Sequence, residues 1–326
     1  MCGWQVKLCD PLVTHGPYLS ALEIRVGIIK RYGNGLFTLF TTTTMMMVMM
    51  MLCRFERALQ RHCSTCCIPY IDTRLDCSLP RPSDSAIWTS PYFGNNQGPV
   101  RTGMAANWAA EPSDCDIYGN GRVMRYANTE SCWSGLLYTQ RMIDTVTRSE
   151  SYDDLVQPYD FNDFENEHGG PHMFLGGHME ALPCAPLDPF FWSHHCWVDM
   201  LVQMLKDLLP ASSWRYPNNW LVPFAQRAGD RMRPFQYRNA DGMYDNIIGK
   251  NYMYEVSPAD ETCKTEADCR SPTGLLWCDT SRGAGQCKAK CRQGGSCGRG
   301  PNAMCHCMSG TPRCDAGICR CVRTNP

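Results

Sequence analysis

The sequence predicts a mainly α fold, in which a helical core wrapped by long irregular loops is followed by a small cysteine-rich disulfide module. Three observations carry that expectation. Apolar residues recur at helical spacing after Asp188. Five of the eight histidines fall between His168 and His195, at spacings that helices turn to one side. Of 22 cysteines, eleven are scattered over the chain up to Cys196 and eleven crowd between Cys263 and Cys321.

At 326 residues the chain can bury a sizeable core and hold one large domain plus a smaller module. Charge is balanced, with 31 basic and 32 acidic residues, so the composition implies no polyelectrolyte partner. A nucleic-acid partner is not expected, because phosphate contacts need a basic face. The cysteine count argues for an oxidising compartment, hence a secreted, extracellular protein.

Residues 1–54 read as an atypical low-complexity segment. Tyr32 to Cys53 carry no charge but contain Thr41 to Thr44 and a Met run from Met45 to Met51, broken only by Val48. A span of about 20 apolar residues can cross a bilayer. This one is only mildly hydrophobic and too far in for an ordinary signal peptide, so a membrane anchor is not expected. The abrupt change to different sequence at Arg54-Phe55 suggests a segment foreign to the rest.

Residues 55–255 are rich in Trp, Tyr, Phe and Leu and form the expected core domain. The stretches near 77–130 and 210–255, rich in Pro, Gly, Asn and Trp, read as irregular loops packed around it. His168 and His172 stand four apart, which on a helix sets both rings on one face. Gly169, Gly170 and Pro171 lie between them, so the pair is placed at a helix start, where Pro is tolerated. Gly176-Gly177 ends that helix. Asp188-Pro189 opens the next, with Asp as the cap and Pro at the first position. That helix runs from Phe190 to about Leu208, with Phe191, Val198, Leu201, Val202 and Leu205 on its buried face. From 256 to 326 apolar residues thin out and Cys takes over.

Imidazole suits copper, zinc and iron, so the histidine cluster reads as a metal site. His168, His172 and His195 are the ligand candidates. His178 is read as structural. Glu165, three residues before His168, is either a carboxylate that orients a ligand or holds a water, or a solvent-facing charge.

These residues resemble a known family. Phe164-Glu165, His168, His172, Gly176-Gly177-His178-Met179 and Asp188-Pro189-Phe190-Phe191-Trp192-Ser193-His194-His195 with Asp199 look like the second copper half-site of tyrosinases. These are type 3 copper proteins, as are catechol oxidases and molluscan haemocyanins. Upstream, Phe55-Glu56-Arg57-Ala58-Leu59 and Ile68-Pro69-Tyr70-Ile71-Asp72 resemble the family's FExxL and LPYWD, with Ile71 in place of Trp. Ser83-Asp84-Ser85, Phe93-Gly94 and Thr102-Gly103 through Trp108 continue the likeness, which covers about residues 55–255.

The resemblance implies a four-helix bundle holding two copper ions, each on three histidines. It implies His168, His172 and His195 as the ligands of one copper. The implied activity is copper-dependent oxidation of a small phenol or o-diphenol to an o-quinone with O2. It also suggests Glu165 as the catalytic carboxylate found near the first ligand in phenol-hydroxylating members. Gly169 stands where those members often have Asn, which favours o-diphenols. The likeness fails at the first copper. The family's WHR histidine lies seven residues before the Phe of FExxL, and here that position is Val48. Only His15 and His62 precede the second site, so one half-site is evident.

Other readings stay open. A secreted pseudoenzyme, binding one copper or none, would follow from the missing first site. A haemocyanin-like oxygen carrier would use the same ligands under a covered site. A mononuclear zinc hydrolase would need a general base that the HExxH pattern supplies and this sequence lacks. In the tail, eleven cysteines leave one over after pairing. Cys305-His306-Cys307 suggests zinc, but such adjacent ligands fit a closed tetrahedral site poorly, so disulfides are expected, with a pairing that spacing does not decide.

Overall fold

The structure, a computed structural model, describes residues 42–111, 113–155, 164–216, 227–232, 235–243, 253–271, 273–281, 283–299 and 304–324. Four helices build the core: α1 (Thr42–Gln60), α3 (Gln140–Arg148), α5 (Phe164–Leu175) and α6 (Pro189–Leu208). Two short helices, α2 (Thr73–Asp76) and α4 (Tyr152–Leu155), sit in the connections. α6 packs against α1, α3 and α5. This is the bundle the sequence predicts.

α6 forms where expected. Asp188 caps it by accepting a hydrogen bond from the Phe190 N–H, and Pro189 occupies the first turn, where no donor is needed. Nearly every residue from Phe190 to Val202 is buried, so this is the central helix of the core rather than an amphipathic one.

α5 departs from expectation. It begins at Phe164, so Pro171 lies inside the helix and not in its first turn. A proline there removes one backbone donor, a cost that tertiary packing must offset. The packing is close: a Cβ on Gly170 would lie 2.8 Å from the Leu136 carbonyl oxygen, so only glycine lets that chain approach.

α1 runs without a break through Arg54-Phe55, joining the Met run to Phe55 and Leu59 on one helix. Val48 to Leu52 are buried in the same apolar cluster as Phe191, Trp197 and Leu201. Methionine is unbranched and polarisable, and fills irregular core space well. No helix among the described residues is long and apolar enough to cross a membrane.

The loop region carries only 3-10 turns and a two-stranded antiparallel ladder, β1 (Gln97–Pro99) with β2 (Met124–Tyr126). Disulfides Cys77–Cys132 and Cys115–Cys184 staple it, and Cys63–Cys66 closes the turn after α1.

The C-terminal module is two three-stranded antiparallel sheets. In the first, β5 (Gly285–Ala289) lies between β3 (Thr262–Cys263) and β4 (Leu276–Asp279). In the second, β8 (Ile318–Val322) lies between β6 (Ser296–Arg299) and β7 (Thr311–Asp315). Five disulfides replace a hydrophobic core: Cys263–Cys278, Cys269–Cys287, Cys297–Cys305, Cys307–Cys321 and Cys314–Cys319. The odd cysteine is Cys291, whose fully buried thiol is pushed up to about 12 by burial. Asp84 docks the module, accepting from Arg292 and from the Ser296 N–H.

Candidate metal centre

α5 sets His168 and His172 one turn apart on its inner face, and α6 brings His195 to meet them. The Nε2 atom of His195 lies 3.5 Å from that of His168 and 3.3 Å from that of His172. All three rings are buried. Burial lowers the pKa of His172 to about 4 and drives that of His195 well below the usual imidazole range. His172 and His195 are therefore neutral at pH 7, the state that ligates metal.

A tetrahedral ion with metal–nitrogen bonds of about 2.0–2.1 Å needs its ligand nitrogens about 3.3 Å apart. The two spacings to His195 match and all the candidate ligand atoms lie within 4.8 Å of one another, so the donor set fits a metal.

The ring orientations are held from behind. His172 Nδ1 donates to the Met179 carbonyl at 2.8 Å, which fixes the tautomer and leaves the Nε2 lone pair facing inward. That carbonyl sits in a tight 3-10 turn, Gly177–Met179. Gly177 has φ +59°, and a Cβ there would stand 2.2 Å from the Met124 carbonyl oxygen. His178 pins the same turn. Its Nδ1 accepts from the Met124 N–H at 2.8 Å, and its Nε2 donates to the Cys115 carbonyl at 2.9 Å. With both nitrogens engaged, His178 is a brace.

His194 also lies in the cluster. Its Nε2 donates to the His168 carbonyl at 3.0 Å, and its ring stacks on that of His168 at 5.3 Å, so it supports the ligand helix. Phe191 covers the other side, its ring centroid 4.1 Å from that of His195.

Sequence reasoning missed Arg125. Its guanidinium is fully buried and grips Asp188 with two bonds, Nε to Oδ2 at 2.6 Å and Nη2 to Oδ1 at 2.8 Å. Asp188 thus caps α6 and answers a buried cation, so the start of the helix that carries His195 is anchored to β2. The available signal was a lone arginine in the otherwise apolar Val123-Met124-Arg125-Tyr126. Asp199, one turn after His195, accepts from the Tyr254 hydroxyl at 2.5 Å.

Glu165 falls in the first turn of α5, and its side chain lies outside the described residues, as does all of His15. His62 is exposed beyond the end of α1. Val48, at the position of the family's WHR histidine, is a buried core residue.

Residues 50–208 match the family model for the common central domain of tyrosinase. This segment belongs to the tyrosinase family. The chain is 30% identical over 268 residues to the tyrosinase-like protein tyr-3 of Caenorhabditis elegans, covering 77% of this chain and 36% of that one. It is 28% identical over 237 residues to tyrosinase-like protein 2 of Margaritifera margaritifera, covering 64% and 49%. The chain therefore spans half or less of these relatives' length. Among solved structures, a polyphenol oxidase mutant from Thermothelomyces thermophila superposes with TM-score 0.55 at 18% identity, covering 73% of this chain and 78% of that one. That likeness shows the shared fold.

Proposed function

We propose that this chain is a copper-dependent oxidase that converts o-diphenols, and phenols more weakly, to o-quinones with O2. The observation that supports it is the convergence of three buried imidazoles, with the Nε2 of His195 3.5 Å from that of His168 and 3.3 Å from that of His172. Copper bound there, together with a second copper, supplies the redox chemistry. The overall reaction balances when two o-diphenols release four electrons and four protons and one O2 becomes two waters. The protein's part is position and electrostatics. His172 is aimed by Met179, His168 is backed by His194, and Phe191 shields His195 from water. Glu165, one turn before His168, is proposed to orient a water or the substrate hydroxyl. Gly169 beside His168 supports the preference for o-diphenols. The eight disulfides among the described residues support an extracellular setting.

One observation favours a second reading. The α1 segment Val48 to Leu52, where the first half-site belongs, is buried and apolar. A protein with only the second half-site binds one copper and cannot carry out the dicopper reaction. Copper content combined with a catechol assay separates the two readings. Two coppers per chain with turnover establish the oxidase, and one copper without turnover establishes the single-site protein.

A further inference from the structure

The near-neutral charge of the whole chain conceals an asymmetry. Residues 256–326 carry ten Lys or Arg against six Asp or Glu, while the complete chain is at −1. From Ser296 onward there are four arginines and one acid, Asp315. Arg320 on the central strand β8 stands directly opposite Arg313 on β7 and Ser296 on β6. Two residues further back along β8, Ile318 stands opposite Arg299 and Asp315. Residues paired across strands share a face, so Arg299, Arg313 and Arg320 lie on one side of the sheet, and all three are exposed.

Like charges directly opposite each other weaken a strand pair. Two other arginines of the module are neutralised: Arg270 pairs with Glu261, and Arg292 with Asp84. Arg299, Arg313 and Arg320 take part in no ion pair among the described residues, and Asp315 is the one acid on their face. The sheet is rigid beneath them. Cys319 and Cys321 point inward, and Cys314–Cys319 and Cys307–Cys321 clamp the strands.

We infer that this face docks a sulfated polysaccharide. Guanidinium forks match the oxygens of sulfate in bidentate fashion. Two opposed forks on an open sheet suit neighbouring groups on a linear polyanion better than one small ion in a pocket. The described face holds no aromatic ring on which a nucleic-acid base could stack. Its one large exposed apolar side chain is Ile318, too little to insert into a membrane.

The test uses the full chain and immobilised heparin. The native protein is expected to bind at about 0.15 M salt and to elute as salt screens the contact. Arg313→Gln/Arg320→Gln should weaken binding about tenfold or more. Arg141→Glu/Arg148→Glu, on exposed positions of α3, should leave it unchanged. Failure of the native chain to bind overturns the proposal, as does equal loss in both variants. Desulfated heparin binding as tightly as heparin overturns the role of sulfate. Tighter binding to single-stranded DNA or to phosphatidylserine vesicles overturns the polysaccharide. If the Gln variant does not fold, these comparisons on the native chain still decide the matter.

Discussion

The ring of His172 is aimed by the backbone of Met179, seven residues away, through a 2.8 Å hydrogen bond from Nδ1 to the carbonyl oxygen. The ligand is thus as well placed as the turn that presents that carbonyl. The turn depends on Gly177, whose positive φ and close approach to Met124 exclude any side chain. Replacing Gly177 by Ala should move the carbonyl and loosen His172. We expect copper affinity to fall about 10- to 100-fold, the usual effect of losing a partner behind a ligand. Isothermal titration of the copper-free protein checks this, and unchanged affinity would show that the turn does not aim the ring.

His178 braces the same turn with both ring nitrogens. His178→Ala strands the Met124 N–H and the Cys115 carbonyl in a buried site, at a cost of about 1–3 kcal/mol for each group left unsatisfied. His178→Gln retains a donor and an acceptor and should recover part of the loss. Denaturant unfolding of the two variants measures the difference. If Ala and Gln prove equally stable, the brace is not made by hydrogen bonds.

The buried pair of Arg125 and Asp188 should behave asymmetrically. Arg125→Met leaves the Asp188 carboxylate uncompensated at the head of α6, costing about 3–5 kcal/mol. Arg125→Met/Asp188→Asn removes both charges and keeps a capping side chain, so it should be more stable than the single variant. A double variant no more stable than Arg125→Met would show that the charge left on Asp188 is not what destabilises the single one.

Asp76 sets a pH dependence. Burial raises its pKa to about 7 from the ordinary 3.8, with Ser85 hydrogen bonding acting against the shift. A carboxyl whose folded pKa is raised holds its proton longer in the folded state than in the unfolded one. Its stability contribution is complete below pH 4 and is lost as pH rises through 7. Asp76→Asn cannot ionise, so its stability relative to the native chain should improve by several kcal/mol, about 4 at most, between pH 4 and pH 8. Thermal unfolding at the two pH values measures this. A native-to-variant difference that does not change with pH would place the raised pKa elsewhere.

Much of the bundle was legible because its signals are local. Asp188-Pro189 announces a helix start, and the spacing of Phe191, Val198, Leu201 and Leu205 announces the buried face behind it. The placing of His168 and His172 on one helix face was legible because four-residue spacing is readable from numbers alone, whereas the choice of His195 over His194 came from the family resemblance. What stayed hidden is long-range. No local rule tells that Arg125 answers Asp188 across 63 positions, or that His178 spans Met124 and Cys115. The Met run misled for the opposite reason. Its composition looks foreign, yet flexible apolar side chains pack into the core without any periodic signature. Pro171 misled because a local helix penalty is outweighed by the packing of α5 between Leu136 and α6.

The most direct test of the central claim, that His168, His172 and His195 hold a copper, is the metal content of the purified chain against that of His172→Ala and His195→Ala. Copper is measured per chain after reconstitution and removal of free metal. The account predicts that each variant loses one equivalent of the copper bound by the native protein while retaining its helical circular dichroism. Folded variants that keep the full native copper content would contradict it.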